Sequence, residues 1–335
     1  MSSIITNIIQ IFKKNIHIIV KISPILSFAV PFLILYFLYP NSFEATWKGR
    51  TYYLFFLWLF FLEIIPNWEE LQTKKISDMK LARKIALIIS LLIPTIYVIV
   101  ANFYGLNYAI EKLAEQRNIP FASWMPLATE YLVFASLFAL IILLEYGISG
   151  SKDFSLSTVF LGIIGVIYTI DNVYPYGNFT PFQIIVPTTA MLAANVLNLM
   201  GYQTRFLPPL EGMPTLRAWN SQGAWAAHIG WPCSGVESLL IYTVTILLFL
   251  KKTAIPWKHG IVYFIIGAIV TYLVNILRIV TIFIIGINRG DVWAFHDLYG
   301  QLYSIFWIVS YPLIIIVSRA LWRKIRTARA RRKSP

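Results

Sequence analysis

The sequence predicts an all-α, polytopic transmembrane bundle of about 8 to 10 helices, and three observations carry that prediction. Hydrophobic residues fill 58% of the 335 positions and charged residues only 13%, against roughly 45–50% and about 25% in soluble domains. Mean hydropathy is +0.68. Nine apolar stretches each approach the roughly 20 residues that cross a bilayer as a helix. Together these features exclude an ordinary cytosolic enzyme, a disordered chain and a disulfide-rich secreted scaffold, and they predict a multi-pass protein of the cell membrane.

The stretches fall at 20–39, 51–66, 85–105, 127–146, 156–172, 182–200, 234–250, 260–287 and 301–320. The first lacks the charged start, short apolar core and small-residue cleavage site of a removable signal, so it is expected to remain as an anchor. Residues 201–232 form the longest polar connection of the second half, rich in Pro, Gly and Trp, and read as a loop leading into Cys233. No repeat, low-complexity tract or soluble domain emerges. The chain divides into N-terminal membrane helices of unassigned role (1–181), a second helical region (182–320) and a basic cytoplasmic tail (321–335).

Net charge is +13, which raises the question of a nucleic-acid partner. Eight of the basic residues lie from Arg319 onward, with no acidic residue among them and an apolar segment directly before. That is a stop-transfer flank, and no nucleic acid is expected to bind. The tail and the loop carrying Lys251, Lys252 and Lys258 both belong in the cytoplasm, and two helices separate them. This puts residues 201–232, Cys233 and the 288–300 connection on the extracytoplasmic side, and any active site with them. Counting nine full spans backwards would place Lys74, Lys75, Lys80, Arg83 and Lys84 outside as well. A re-entrant or incomplete crossing between 156 and 200 removes that conflict and leaves both termini cytoplasmic.

Three strings near the outer ends of the last helices carry residues that lipid-facing helices avoid: Cys233-Ser234-Gly235 with Ser238, Asn275-Ile276-Leu277-Arg278, and His296-Asp297-Leu298-Tyr299-Gly300. Cys233, the only cysteine, excludes an internal disulfide and a Cys-rich metal site. It follows Pro232 and opens an apolar helix, a position whose free amides and dipole favour thiolate, although a small buried thiol is the commoner role of a free cysteine. Arg278 lies well inside an apolar helix, where an arginine costs at least about 2.5–3.5 kcal/mol and faces a partner or a wet cavity. Gly267, Thr271 and Asn275 share its helical face, so a polar stripe is expected to turn into the bundle. Glu237, one turn beyond Cys233, is a natural counter-ion for Arg278. His296 opens the last helix with Gly300 and Ser304 on its face, and an imidazole there suits acid–base work. His228, five residues before the cysteine in a Trp-rich loop, competes for that role.

The order CSGxxS, NxxR and FHDxxG across residues 182–320 resembles the exosortase/archaeosortase family of membrane-embedded cysteine transpeptidases. The resemblance implies Cys233 as nucleophile with Arg278 and His296 as the other catalytic positions; Ser234, Gly235, Glu237, Ser238, Asn275, Asp297 and Gly300, in the same three strings or on the helix that follows Cys233, are the supporting candidates. It implies no metal or organic cofactor. It also implies substrates that are secreted proteins ending in a sorting signal (a short motif, a transmembrane helix and a basic tail), with a membrane lipid as possible acceptor. Position 237 is often basic or small in relatives, so the role of Glu237 is not inherited. Two other readings stay open from the residues alone: a membrane cysteine protease that releases its product into water, and a transporter or lipid flippase whose pathway Arg278, Glu237, Asn195 and Asn198 would line.

Overall fold

The computed structural model of the chain describes residues 23–45, 48–64, 80–175, 181–253, 255–296 and 300–331. All nine apolar stretches are helical over most of their described residues. In chain order the helices are α1 (Ser23–Leu38), α2 (Thr51–Ile64), α3 (Leu81–Phe103), the short α4 (Leu106–Gln116), α5 (Met125–Ser151), α6 (Ser155–Val173) and α7 (Val186–Leu199). After a small sheet come α8 (Val236–Lys252), α9 (Trp257–Ile287), the single turn α10 (Val292–Ala294) and α11 (Gly300–Arg331). Of these, α3, α5, α6 and α9 are long and apolar enough to cross a membrane. The 14 residues of α7 make a helix of about 21 Å, short of a hydrocarbon core of about 30 Å.

The chain folds as two compact units, Met1–Val173 and Tyr174–Pro335. The first is built on aromatic rings: Phe28, Phe56, Phe60, Phe134 and Phe138 are fully buried and meet edge to face. An edge-to-face pair sets the positive rim of one ring on the negative face of the other, which adds to the burial of apolar area. Beside this core, Arg50 bonds Glu130 through Nε at 2.8 Å and Nη2 at 3.0 Å, and Tyr53 donates to the same carboxylate at 2.8 Å. Lys48 pairs with Asp171 at 3.1 Å. Buried charges persist only when paired in this way.

In the second unit α9 is the spine. A β-carbon at Gly267 would overlap the Tyr242 hydroxyl and the Tyr311 ring, so the bare backbone there lets α8 and α11 close on α9. Those two tyrosines donate to α9 carbonyls, Tyr242 to Phe264 at 2.8 Å and Tyr311 to Tyr263 at 2.7 Å. Thr271 and Asn275 are buried on the same face, as their spacing predicts, and Trp307 Nε1 donates to Thr271 at 3.1 Å.

The stretch 201–232 departs from expectation: most of it is an antiparallel sheet of β1 (Gln203–Leu210), β2 (Met213–Trp219) and β3 (Ala224–His228), in that order across the sheet. Its inner face holds Leu216 and Ala218, both fully buried, while Arg217 between them is exposed. Trp225 lies against Gly286 of α9, where a β-carbon would overlap its ring, and Gly223 meets the Ile287 carbonyl. The sheet therefore caps the C-terminal end of α9.

Candidate active site

The segment Trp231-Pro232-Cys233-Ser234 forms a single 3-10 turn, closed by Ser234 Oγ donating to the Trp231 carbonyl at 2.6 Å. Gly235 follows at φ +96°, in the left-handed region that glycine enters without steric cost, and α8 begins after it. A side chain here would also press on Asn275, whose Nδ2 lies 3.1 Å from a β-carbon built at this position. That close approach lets Asn275 donate to the Cys233 carbonyl at 2.9 Å, which fixes the turn to α9. From the other side Thr189 of α7 lies 3.3 Å from the Ser234 carbonyl and 2.7 Å from the Tyr272 hydroxyl. Cys233 is thus separated from α8 by the left-handed glycine and does not open that helix.

His296 reaches the thiol from the opposite segment, with Nε2 3.9 Å from Cys233 Sγ. Asp291 caps α10 by accepting from the Ala294 amide at 2.9 Å, and helical backbone continues from it through His296, the last described residue before 300. His296 lies four residues before Gly300, where the described part of α11 begins. The Trp293 ring stands edge-on to the imidazole at 6.0 Å, and Arg278 Nη2 donates to the His296 carbonyl at 3.0 Å. Cysteine, arginine and histidine, 45 and 18 residues apart in sequence, form one chain of contacts.

The electrostatics correct the expectation of a resting thiolate. Cys233 keeps part of its surface open, yet the protein packed around its sulfur pushes the thiol above its usual range. Arg278 pulls it down and Glu237 pushes it up, both less strongly than burial does. Burial therefore favours the thiol over the thiolate at Cys233, and ionising it is the step that a nucleophilic role requires. The charge on Glu237 opposes that step. Glu237→Gln should consequently lower the thiol pKa and move the pH profile of Cys233 alkylation to lower pH, whereas Arg278→Gln should move it to higher pH. Iodoacetamide rates across a pH series on the purified protein measure both, and a Glu237→Gln profile displaced to higher pH would contradict this account.

The remaining sequence candidates divide. Ser238 is buried and donates to Ser304 at 2.9 Å, joining α8 to α11 near the site. Gly300 begins α11, and Asp297 lies outside the described residues. Arg278 has the His296 carbonyl as its partner in place of the anticipated Glu237 carboxylate, because rotation of α9 aims the guanidinium toward the 292–296 segment. Its Nε is buried and lacks a hydrogen-bond partner among the described residues. His228 ends β3 and not a loop, and Thr215 Oγ1 holds its Nδ1 at 2.8 Å. Asn195 and Asn198 are exposed on α7, with Asn198 accepting from Thr204 at 2.9 Å. Thr189 and Tyr272 were missed by sequence reasoning, since isolated hydroxyls in apolar helices carry no spacing signal.

The family described as Transmembrane exosortase matches residues 25–315. The chain belongs to that family. The exosortase match reaches far back beyond 182–320, where the three motifs lie, so α1 to α6 are part of the exosortase chain and not an unrelated extension. Comparisons with curated proteins and with solved structures gave no match. Membership makes the protein a multi-pass membrane exosortase, of a family that processes sorting signals in general. Among the described residues, no three His, Cys, Asp or Glu side chains gather as a metal site.

Proposed function

We propose that this exosortase is a cysteine transpeptidase that cleaves secreted proteins at a C-terminal sorting signal on the extracytoplasmic side of the membrane and transfers the new carboxyl end to a membrane-lipid amine. The observation that carries the reading is the approach of His296 Nε2 to Cys233 Sγ at 3.9 Å with Arg278 against the same histidine. In the first half-reaction the thiol proton passes to Nε2, sulfur bonds to the scissile carbonyl carbon, and the carbonyl oxygen takes up negative charge. Arg278 Nε, a buried donor without an acceptor among the described residues, is suited to that oxyanion. His296 then returns the proton to the leaving nitrogen, the C–N bond breaks, and an acyl thioester remains on Cys233. In the second half-reaction the acceptor amine gives its proton to His296 and displaces sulfur. Water in its place would yield the simple protease outcome.

Arg278→Lys retains charge but loses the planar set of donors, and a compact ammonium on a flexible stem reaches neither the oxyanion nor the His296 carbonyl in the same geometry. Turnover should fall about 100- to 1,000-fold, the usual cost of deleting one oxyanion donor. Single-turnover cleavage measures it, and a near-normal rate would reduce Arg278 to a structural role. The reading as a whole is tested by mass spectrometry of surface proteins from cells carrying the native enzyme or Cys233→Ala. Retention of C-terminal apolar helices in the variant supports it, and unchanged C-termini overturn it. The transporter reading gains no support, because Asn195 and Asn198 are exposed on α7 and Asn198 accepts from Thr204 of the sheet.

A further inference from the structure

The strand order β1-β2-β3 leaves two sheet edges, and the chain treats them differently. The β1 edge is blunted by Pro208 and Pro209 and by a register shift between Leu207 and Leu210. Such features are how proteins prevent an edge from pairing with another chain. The β3 edge, Ala224-Trp225-Ala226-Ala227-His228, has no proline, no register shift and only small side chains at 224 and 226. It is also the strand that runs into Cys233, five residues beyond its end.

The hydrogen-bond parity of β3 is fixed at both ends. Ile229 N donates to the Pro214 carbonyl at 2.9 Å, and Asn220 N donates to the Gly223 carbonyl at 3.0 Å. Alternation between these makes Leu216/Ala227 and Ala218/Trp225 the bonded pairs, so Ala224, Ala226 and His228 turn their N–H and C=O groups away from β2. Among the described residues none of these outward backbone groups has a partner. Residues 224, 226 and 228 are exposed as well.

We propose that this open edge receives the substrate as an added strand, parallel to β3, whose C-terminal end delivers the scissile bond to Cys233. The proposal rests on Cys233 being the nucleophile. Direction follows from two contacts on α9: Trp225 lies against Gly286, whereas the Cys233 carbonyl is bonded to Asn275. Those α9 positions are about 16 Å apart along the axis at 1.5 Å per residue, so the chain descends from the cap toward the interior of the span between β3 and the thiol. A parallel peptide keeps its N-terminal, acyl side on the sheet and continues past Cys233 alongside α9, where an apolar helix following the scissile bond would lie in the bilayer. Antiparallel pairing would lay the leaving helix across the sheet. Recognition through the backbone fixes an extended conformation and reads alternate side chains, which suits a class of substrates differing in sequence.

The test uses a synthetic peptide spanning the cleavage site, with its apolar helix, of a surface protein that stays uncleaved in cells with Cys233→Ala. Each of the six amides preceding the scissile bond is N-methylated in turn and the peptide is offered to the unaltered enzyme in detergent. KM should rise about fivefold or more at every second amide, as expected for loss of one hydrogen bond, and change little at the intervening ones. In parallel, Ala226→Pro removes an outward N–H and leaves the β2–β3 ladder intact. It should raise KM about tenfold with kcat within about twofold of normal. Equal effects at all six amides, or an unchanged KM in Ala226→Pro, overturn the proposal while leaving Cys233 as nucleophile. Ala226→Pro that alters only the oligomeric mass also overturns it, by assigning the edge to a second copy of the chain. Continued processing with Cys233→Ala would instead remove the nucleophile reading itself.

Discussion

Cys233→Ala should abolish processing, with a loss of at least about 10⁴-fold, while the protein still inserts and folds. The large effect follows from chemistry: without a sulfur there is no acyl-enzyme, and the hindered membrane site must then rely on direct attack by the acceptor. The small structural effect follows from packing. Cys233 is held through its main chain, by Asn275 at its carbonyl and by Gly230 at its amide, and neither bond uses the side chain. Cys233→Ser should be equally inactive, because a hydroxyl is far harder to deprotonate than a thiol whose pKa burial has already raised. Product analysis with both variants, beside their melting curves in detergent, checks the pair of claims. A folded Ala variant that trims substrates at the normal rate would end the nucleophile assignment.

His296→Ala should slow processing by about 1,000-fold or more, and His228→Ala by only a few-fold. Loop mobility does not set His228 aside, because it stands on β3 with its ring bonded to Thr215. Rigidity is common to both. What separates them is reach, since His296 Nε2 approaches the sulfur while His228 Nδ1 is engaged at the sheet. The pH–rate profile adds a reading that a merely structural loss would not move. Proton transfer from the thiol is the step that His296 serves in this account, so the pH dependence of the native rate should differ from that of the residual His296→Ala activity. A dead His228→Ala beside an active His296→Ala would reverse the assignment.

The helices were legible because a bilayer imposes a length and a composition on each one, and every apolar stretch from 20–39 to 301–320 proved helical over most of its described residues. Arg278 was legible for the same reason, as a charge that an apolar helix tolerates only against polar company. The sheet was hidden. Its one clean alternation, buried Leu216 and Ala218 around exposed Arg217, spans a few residues and is flanked by Pro208, Pro209 and a run of alanines that argue against strands. The counter-ion of Arg278 was misjudged because pairing across helices depends on their rotation, which a single sequence does not encode locally. The resting state of the thiol was misjudged because the left-handed Gly235 moves Cys233 off the helix end, and burial then outweighs Arg278.

The central claim, a thioester on Cys233, is tested most directly by trapping it. The enzyme is taken from membranes of actively secreting cells, quenched in acid, and its Cys233 peptide is analysed by mass spectrometry before and after neutral hydroxylamine. The account predicts an acyl adduct on Cys233 that hydroxylamine releases as a hydroxamate at the C-terminus of a secreted protein. The Cys233→Ala protein should show no such adduct, and its host's secreted proteins should keep their terminal helices. Substrate cleavage proceeding normally in Cys233→Ala cells, with no hydroxylamine-labile adduct on the native enzyme, would contradict it.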